Sequence, residues 1–364
     1  MTATALRTEF PVLAERAYLN AGTCGPIPRA AVQATSEVLE RAAAEGRSRA
    51  YMETLLDLRE RQRAAYAARL GAEPADVAVG TCTSEGIVRV LAGLDLGPGD
   101  EVLTAPDEHP GLLGPLGTLR HRRGVEIRTA PFADLADAVR PRTRLVACSH
   151  VSWVTGAVRP EGLAALGPDV PVLLDGAQGV GAVAIDVAEL GCAFYAGSGQ
   201  KWLCGPVGTG MLWVSPEWQS RLAPVGTTYL NLAEPGRGLD AAPHPDARSH
   251  DSPALSAEAA AGAVAALEVL AAHGWDAVYE RARTLAATLA DRLAEAGRRV
   301  APRGPTTLVS WEAADPAAVR TRFAESGIVI RDLPNTPYLR ASVGAWNDED
   351  DLERLLDAVR ATPN

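Results

Sequence analysis

The chain has 364 residues, 47% of them hydrophobic, and carries 35 Lys plus Arg against 45 Asp plus Glu, for a formal net charge of -10. This acidity, with scattered arginines, excludes the basic stripe that sequence-independent nucleic-acid binding requires and a basic face for anionic membranes. No run of about 18 apolar residues and no basic-then-apolar leader is present, so the sequence predicts a cytoplasmic protein without a membrane span or secretory signal. Length sets an expectation of two domains, because a single core seldom grows past about 250–300 residues. The five cysteines, Cys24, Cys82, Cys148, Cys192 and Cys204, are odd in number and contain no C-x-x-C pair, which predicts reduced thiols and neither a disulfide framework nor a metal site. Among the 35 basic side chains a single one is lysine, Lys201.

From Arg29 to Leu70 apolar residues recur three and four apart, a helical pattern. Short β-type runs follow, VAVGT, EVLTA, VEIRTA, RLVACS and PVLLD, separated by candidate helices at Ser84 to Leu94, Gly111 to His121 and Asp134 to Val139. Such alternation predicts an α/β fold with a mostly parallel sheet covered on both faces. Two more β runs, CAFYAGS and TGMLWV, flank Lys201 and can pair with the sheet or with each other. Between Pro224 and Pro253, Gly, Pro, Asn, Asp and His replace the pattern, which reads as a long loop and a domain junction. Two Ala-rich helices are predicted over Ala254 to His273 and Trp275 to Ala296. An α+β tail follows: strands at Thr307 to Trp311, GIVIRDL and YLRASV, a helix from Asp315 to Glu325 with Asp315 as cap, and a last helix from Asp348. The expected division is a large domain over residues 16–250 and a small C-terminal domain over residues 251–364 joined by residues 1–15.

PVLLDGAQGVG ends a buried-strand run in Asp175, which places a carboxylate at the C-terminal edge of the sheet, where open α/β folds bind ligands. A strand-ending Asp also serves simply to cap a turn. Downstream, GSGQKWLCGPVGTG sets Lys201 in a glycine-rich turn between apolar strands, a poor place for a solvated charge. A nucleotide P-loop is excluded, since Trp202 stands where Ser or Thr is needed and the glycine spacing is absent. A dinucleotide fingerprint at GPVGTG is weak because a strand follows it. A lysine for a Schiff base, an acid for a pyridine nitrogen and a hydroxyl-bearing helix start for a phosphate together suit pyridoxal 5′-phosphate (PLP).

On these residues the sequence resembles the class V aminotransferase group of fold-type I PLP-dependent enzymes, which includes cysteine desulfurases, isopenicillin N epimerase-like proteins and C–S lyases. The resemblance runs from about Tyr18 to Leu355. It implies a large PLP-binding domain with a mostly parallel sheet, a smaller α+β domain and a homodimer with a shared active site. It also implies that Asp175 pairs with the ring nitrogen, Gln178 contacts the ring hydroxyl, and Lys201 is the Schiff-base lysine and proton shuttle. His109, in DEH, is implied to stack on the ring. In TCTSEG the resemblance assigns Thr83 and Ser84 to the phosphate, with Ser198 before the lysine and Ser252 of a neighbouring subunit as further ligands. Arg340, in YLRASV, is implied to grip the substrate α-carboxylate, with Arg331 as a second candidate and Asn20 and Trp153 as substrate neighbours.

Two departures narrow the branch. No cysteine follows Cys204, so the loop before Arg340 lacks the persulfide-forming nucleophile of common desulfurases. Trp153 and Gln200 stand where desulfurases carry Asn and His. Cys24, in YLNAGTCGP, is a possible substitute nucleophile or a turn cysteine. The branch resemblance favours β-elimination from a sulfur-bearing amino acid; transamination, epimerisation or a non-catalytic PLP-fold binding module are the alternatives.

Overall fold

The computed structural model describes residues 3–362. In chain order, α1 (Ala3–Thr8) and β1 (Ala17–Tyr18) lead into two long helices, α2 (Arg29–Glu45) and α3 (Arg49–Leu70). The helical stretch breaks where Gly46 takes φ 76°, and α3 stops at Gly71 in the left-handed region, φ 65°. Then come β2 (Val77–Gly80), α4 (Thr83–Gly93), β3 (Glu101–Thr104), α5 (Pro110–Arg123), β4 (Glu126–Thr129), β5 (Thr143–Ser149) and β6 (Val172–Asp175). The large part closes with α6 (Val187–Leu190), β7 (Phe194–Ser198), β8 (Gly210–Val214) and α7 (Pro216–Gln219).

These strands form a seven-stranded sheet in the order β2-β8-β7-β6-β5-β3-β4. Pairs from β4 through β7 are parallel, whereas β8 runs antiparallel to both β7 and β2. The two runs flanking Lys201 therefore do both things open to them: β7 joins the parallel sheet and β8 folds back on it. Burial on both faces follows the period of two. Val102, Ala147, Leu173, Phe194 and Leu212 pack toward α4 and α5, while Leu103, Cys148, Leu174, Tyr195 and Met211 pack toward Tyr66 and Leu70 of α3. The helix expected over Asp134 to Val139 does not form. A 3-10 turn, Phe132–Asp134, is followed by plain turns. Pro131 and Pro141 bracket a stretch too short to offset helix nucleation, and a proline disfavours the helical conformation in the residue before it.

Residues 224–253 form a long connection with three short 3-10 turns and no strand. Its end is fastened inside the large part: the Asp251 carboxylate accepts from Arg63 at 2.7 Å and 3.0 Å, from the Val79 N–H at 2.8 Å, and from Arg59. Beyond it lie α8 (Ala257–Ala272), α9 (Trp275–Glu295), β9 (Leu308–Glu312), α10 (Pro316–Glu325), β10 (Ile328–Val329), β11 (Arg331–Asp332), β12 (Tyr338–Ser342) and α11 (Glu349–Arg360). Asp315 caps α10 by accepting the Ala318 N–H at 3.0 Å, as the Asp-Pro start predicts. The antiparallel sheet β11-β12-β9 carries a core of Val309, Trp311, Leu339 and Ala341, against which α9 and α11 place Leu285, Leu289, Leu352 and Leu356. The N-terminal segment joins this C-terminal part: β1 pairs in parallel with β10, Asn20 bridges Ser342, and Arg7 pairs with Asp348 and Asp351.

Candidate active site

Strands β5, β6 and β7 end in Ser149, Asp175 and Ser198, side by side at one edge of the sheet. A cleft of about 230 Å³ opens there, lined by Thr83, Ser84, His109, Trp153, Asp175, Gln178, Ser198, Lys201, Arg331 and Arg340. Residues far apart in sequence thus converge. Gly22, Thr23, Cys82 and Gln200, to which the sequence reading assigned no role, line it too.

Asp175 is buried, and one of its oxygens accepts the Ala177 N–H at 2.9 Å. Burial raises its carboxyl above the usual range, and the charge of Lys201 acts in the opposite sense. Burial likewise pushes the Lys201 ammonium down to about 8, against the pull of Asp175 and with a further push from Arg340 and Arg331. The lysine makes no hydrogen bond among the described residues, so its nitrogen is free to react.

The helix α4 starts at Cys82, whose side chain makes no capping bond. Its first turn instead meets Ser198, whose hydroxyl accepts the Thr83 N–H at 3.0 Å and lies 2.7 Å from the Thr83 hydroxyl. Uncapped N–H groups, the positive end of the helix and three hydroxyls form an anion cradle. The N-terminus of α5 lies against this one, for a methyl added at Gly111 would come within 2.4 Å of the Ser84 hydroxyl.

His109 caps α5, its Nδ1 accepting the Gly111 N–H at 3.0 Å, which leaves the ring face free. Burial and the nearby cations lower it to about 4, so it is a neutral ring at neutral pH. Trp153 stands edge-on to it at 5.0 Å and donates its indole N–H to the Asp107 carbonyl at 2.8 Å. Gln178 donates to the Gly22 carbonyl at 2.8 Å and accepts from Trp202 at 3.0 Å, leaving one amide hydrogen over.

Arg340, on β12, is fully buried. It donates from Nη1 to the Trp153 carbonyl at 2.7 Å, while Nε and Nη2 have no partner. Burial, reinforced by Arg331, lowers it to about 9. Arg331, its register partner on β11, donates to the Thr23 hydroxyl at 3.3 Å and lies 5.8 Å from the Trp153 ring centre. A buried guanidinium with open donors beside a second arginine is built to receive a carboxylate. Close packing enforces the glycine between them: a Cβ on Gly22 would lie 2.7 Å from the Ser342 hydroxyl, 2.8 Å from Arg340 Nη2 and 2.9 Å from Gln178 Oε1.

Three residues named from the sequence, Asn20, Cys24 and Ser252, lie off the cleft lining. The Asn20 side chain accepts from the Thr23 hydroxyl at 2.8 Å. Ser252 is buried and donates to Glu85 of its own chain at 2.5 Å. Gln200 was noted only as a departure. Its Oε1 is buried without a partner beside the anion cradle, and the signal for it was its place next to Lys201. Among the described residues no group of three His, Cys, Asp or Glu could hold a metal ion, and no helix is long and apolar enough to cross a membrane.

A mostly parallel sheet with an acid, a lysine and an anion cradle at its edge, faced by buried arginines, defines an enzyme class, and the chain belongs to it: residues 17–355 match the aminotransferase class-V family. The chain is 28% identical to the isopenicillin N epimerase of Streptomyces clavuligerus over 94% of each chain. It is also 28% identical to the cysteine desulfurase CsdA of Escherichia coli, covering 97% of this chain and 96% of that one. Its fold superposes on that of the cystine C–S lyase C-DES, solved with its reaction product cysteine persulfide, with a TM-score of 0.92 and 26% identity over 98% of this chain and 100% of that one. A variant of C-DES carrying glycine covalently linked to its PLP cofactor gives a TM-score of 0.93 at 26% identity, over 98% of this chain and 99% of that one.

Proposed function

We propose that the protein is a PLP-dependent enzyme that cleaves the C–S bond of a cysteine-type amino acid by β-elimination. The residues present fit the cofactor. The uncapped start of α4 with Ser198 and the unbonded Lys201 are groups that one phosphorylated pyridine aldehyde would engage together. Thr83, Ser84 and Ser198 would hold its phosphate, Asp175 its ring nitrogen, His109 its ring face, and Lys201 its aldehyde carbon. When bound, PLP supplies an electron sink for a carbanion at the substrate α-carbon.

The chain's own groups do the rest. Arg340 takes the α-carboxylate through its open donors and so orients the Cα–H bond toward Lys201. The Lys201 amine, lowered to about 8, is neutral in about a tenth of molecules at pH 7 and takes the Cα proton in that form. The Cα–H electron pair becomes the Cα–Cβ double bond as the Cβ–S bond breaks, and sulfur leaves with the bonding pair. Hydrolysis of the released enamine gives pyruvate and ammonia. Asp175, whose carboxyl the charge of Lys201 helps to keep ionised against burial, would hold the pyridine proton.

The observation that carries the reading is the buried Arg340, whose Nε and Nη2 have no partner, in one cleft with Lys201 and Asp175. Two things favour elimination over persulfide transfer. The connection from β11 to β12, Leu333 to Pro337, contains no cysteine, and the whole fold follows that of C-DES. The test is to incubate the PLP-loaded protein with cystine and assay pyruvate. Likeness to isopenicillin N epimerase favours a second reading, epimerisation. No pyruvate, but loss of optical activity with uptake of solvent deuterium at Cα, would move the assignment there. Homodimerisation and a cytoplasmic location are part of the proposal. Exposed Ile27, Val32, Val207 and Tyr229 support the first, and five free cysteines support the second.

A further inference from the structure

Glu108 belongs to none of the roles above, yet it is as buried as the residues that do, at 4% exposure. Both its oxygens go to one residue: Oε1 accepts the Ser149 N–H at 2.8 Å, and Oε2 lies 2.5 Å from the Ser149 hydroxyl. Ser149 is the last residue of β5 and sits in register opposite Asp175 of β6, and the next N–H along, that of His150, donates to the Asp175 carbonyl at 2.8 Å. Glu108 and Asp175 are therefore two buried carboxyls on one strand edge. No ion pair reaches Glu108 among the described residues. The charged groups acting on it are Asp175 from β6 and Asp107 from its own segment, and the Cys148 thiol of β5, itself under the field of Arg159, faces it as well.

We propose that Glu108 is a positioning residue: as a neutral carboxylic acid bridged to Ser149, it clips the Asp107–His109 segment to the sheet edge and so sets the His109 ring over the cofactor. The inference rests on the PLP reading of the cleft. The segment has few other holds: the Trp153 indole on the Asp107 carbonyl, and the start of α5 itself. Without Ser149, His109 would be free to swing with α5. Neutrality matters as much as the clip. A buried carboxylate with no cation is costly, and a second negative charge beside Asp175 would pull a proton onto the acid that must stay ionised. Burial, reinforced by Asp175 and Asp107, raises Glu108 to about 8, so the proton stays on Glu108 at neutral pH.

The test uses the full-length chain with and without PLP. In the infrared spectrum of the cofactor-free protein at pH 6.5, Glu108→Gln should remove one protonated-carboxyl C=O band, and Ser149→Ala should shift that band. The Gln variant, which can still accept the Ser149 N–H and donate to its hydroxyl, should bind PLP as wild type does. It should also lose an alkaline step, with midpoint near 8, in the pH titration of the visible cofactor band. Glu108→Ala should weaken PLP binding about tenfold, the cost of an unpaired buried N–H; if it does not fold, Ser149→Ala provides the same comparison with a smaller loss. A Gln variant that loses PLP as the Ala variant does, or an infrared spectrum without the missing acid band, overturns the inference while leaving the PLP reading intact. A wild-type chain that binds no PLP overturns both.

Discussion

Replacing Arg340 by methionine should move stability and turnover in opposite directions. In the substrate-free protein the guanidinium is fully buried and charged, with one hydrogen bond and two open donor atoms. Each unmatched buried donor costs about 1–3 kcal/mol, and the fall of the group to about 9 points to a penalty on its charged form of the same order or larger. Methionine fills a similar volume and removes the charge, at the expense of the bond to the Trp153 carbonyl. The net stabilisation, about 1–3 kcal/mol, corresponds to a rise in Tm of about 1–4 °C for a chain of this length, read by scanning calorimetry at fixed protein concentration without substrate. The same change deletes the bidentate partner of a carboxylate, a loss of about 3–5 kcal/mol and so about 10²–10⁴-fold in kcat/KM for pyruvate release from cystine. Arg340→Lys should keep the stability of wild type but recover little activity, because an ammonium cannot form the fork. A lower Tm in the methionine variant together with kcat/KM within tenfold of wild type would show that Arg340 is an ordinary structural arginine.

Other outcomes follow from the same geometry. Asp175→Asn preserves the oxygen that accepts from Ala177 but removes the charge, so the visible cofactor band should persist while pyruvate formation falls at least about a hundredfold. Gly22→Ala places a methyl within 2.9 Å of Arg340 Nη2, Ser342 and Gln178, and should raise KM for cystine at least about tenfold, with a smaller change in kcat. His150, buried against Tyr195, is held at about 4, below its unfolded value, so the unfolded chain takes up its proton first as pH falls. Stability should drop between about pH 6.5 and 4, and His150→Leu should flatten that part of a urea-denaturation profile.

Asp175 and Lys201 were readable in the sequence because each ends or follows a continuous apolar run of the kind a strand buried on both faces requires. Thr83 and Ser84 were readable for a related reason, since a strand followed by a hydroxyl-bearing helix start is a local pattern. Gly22 and Thr23 were not. Their importance lies in what they touch, Arg340, Ser342 and Arg331, and no local pattern announces a contact with the far end of the chain. Glu108 escaped notice because a carboxylate before a histidine reads as a solvated charge until both its oxygens are found on Ser149.

The short run from Ala17 to Gly25 has a bearing on how such a protein can be recombined. Its strand belongs to the C-terminal part through β10, Asn20 bridges to Ser342, and at Gly25 the chain lies so close to the Lys201 carbonyl that a Cβ would stand 2.0 Å from it. In a chimera that exchanges the C-terminal part with that of a relative, a crossover placed only in the 224–253 connection would leave this seam mismatched on one side. The unit of exchange is discontinuous: the arginines of β11 and β12 must travel with the first two dozen residues, or they arrive facing a lysine loop cut to fit another partner.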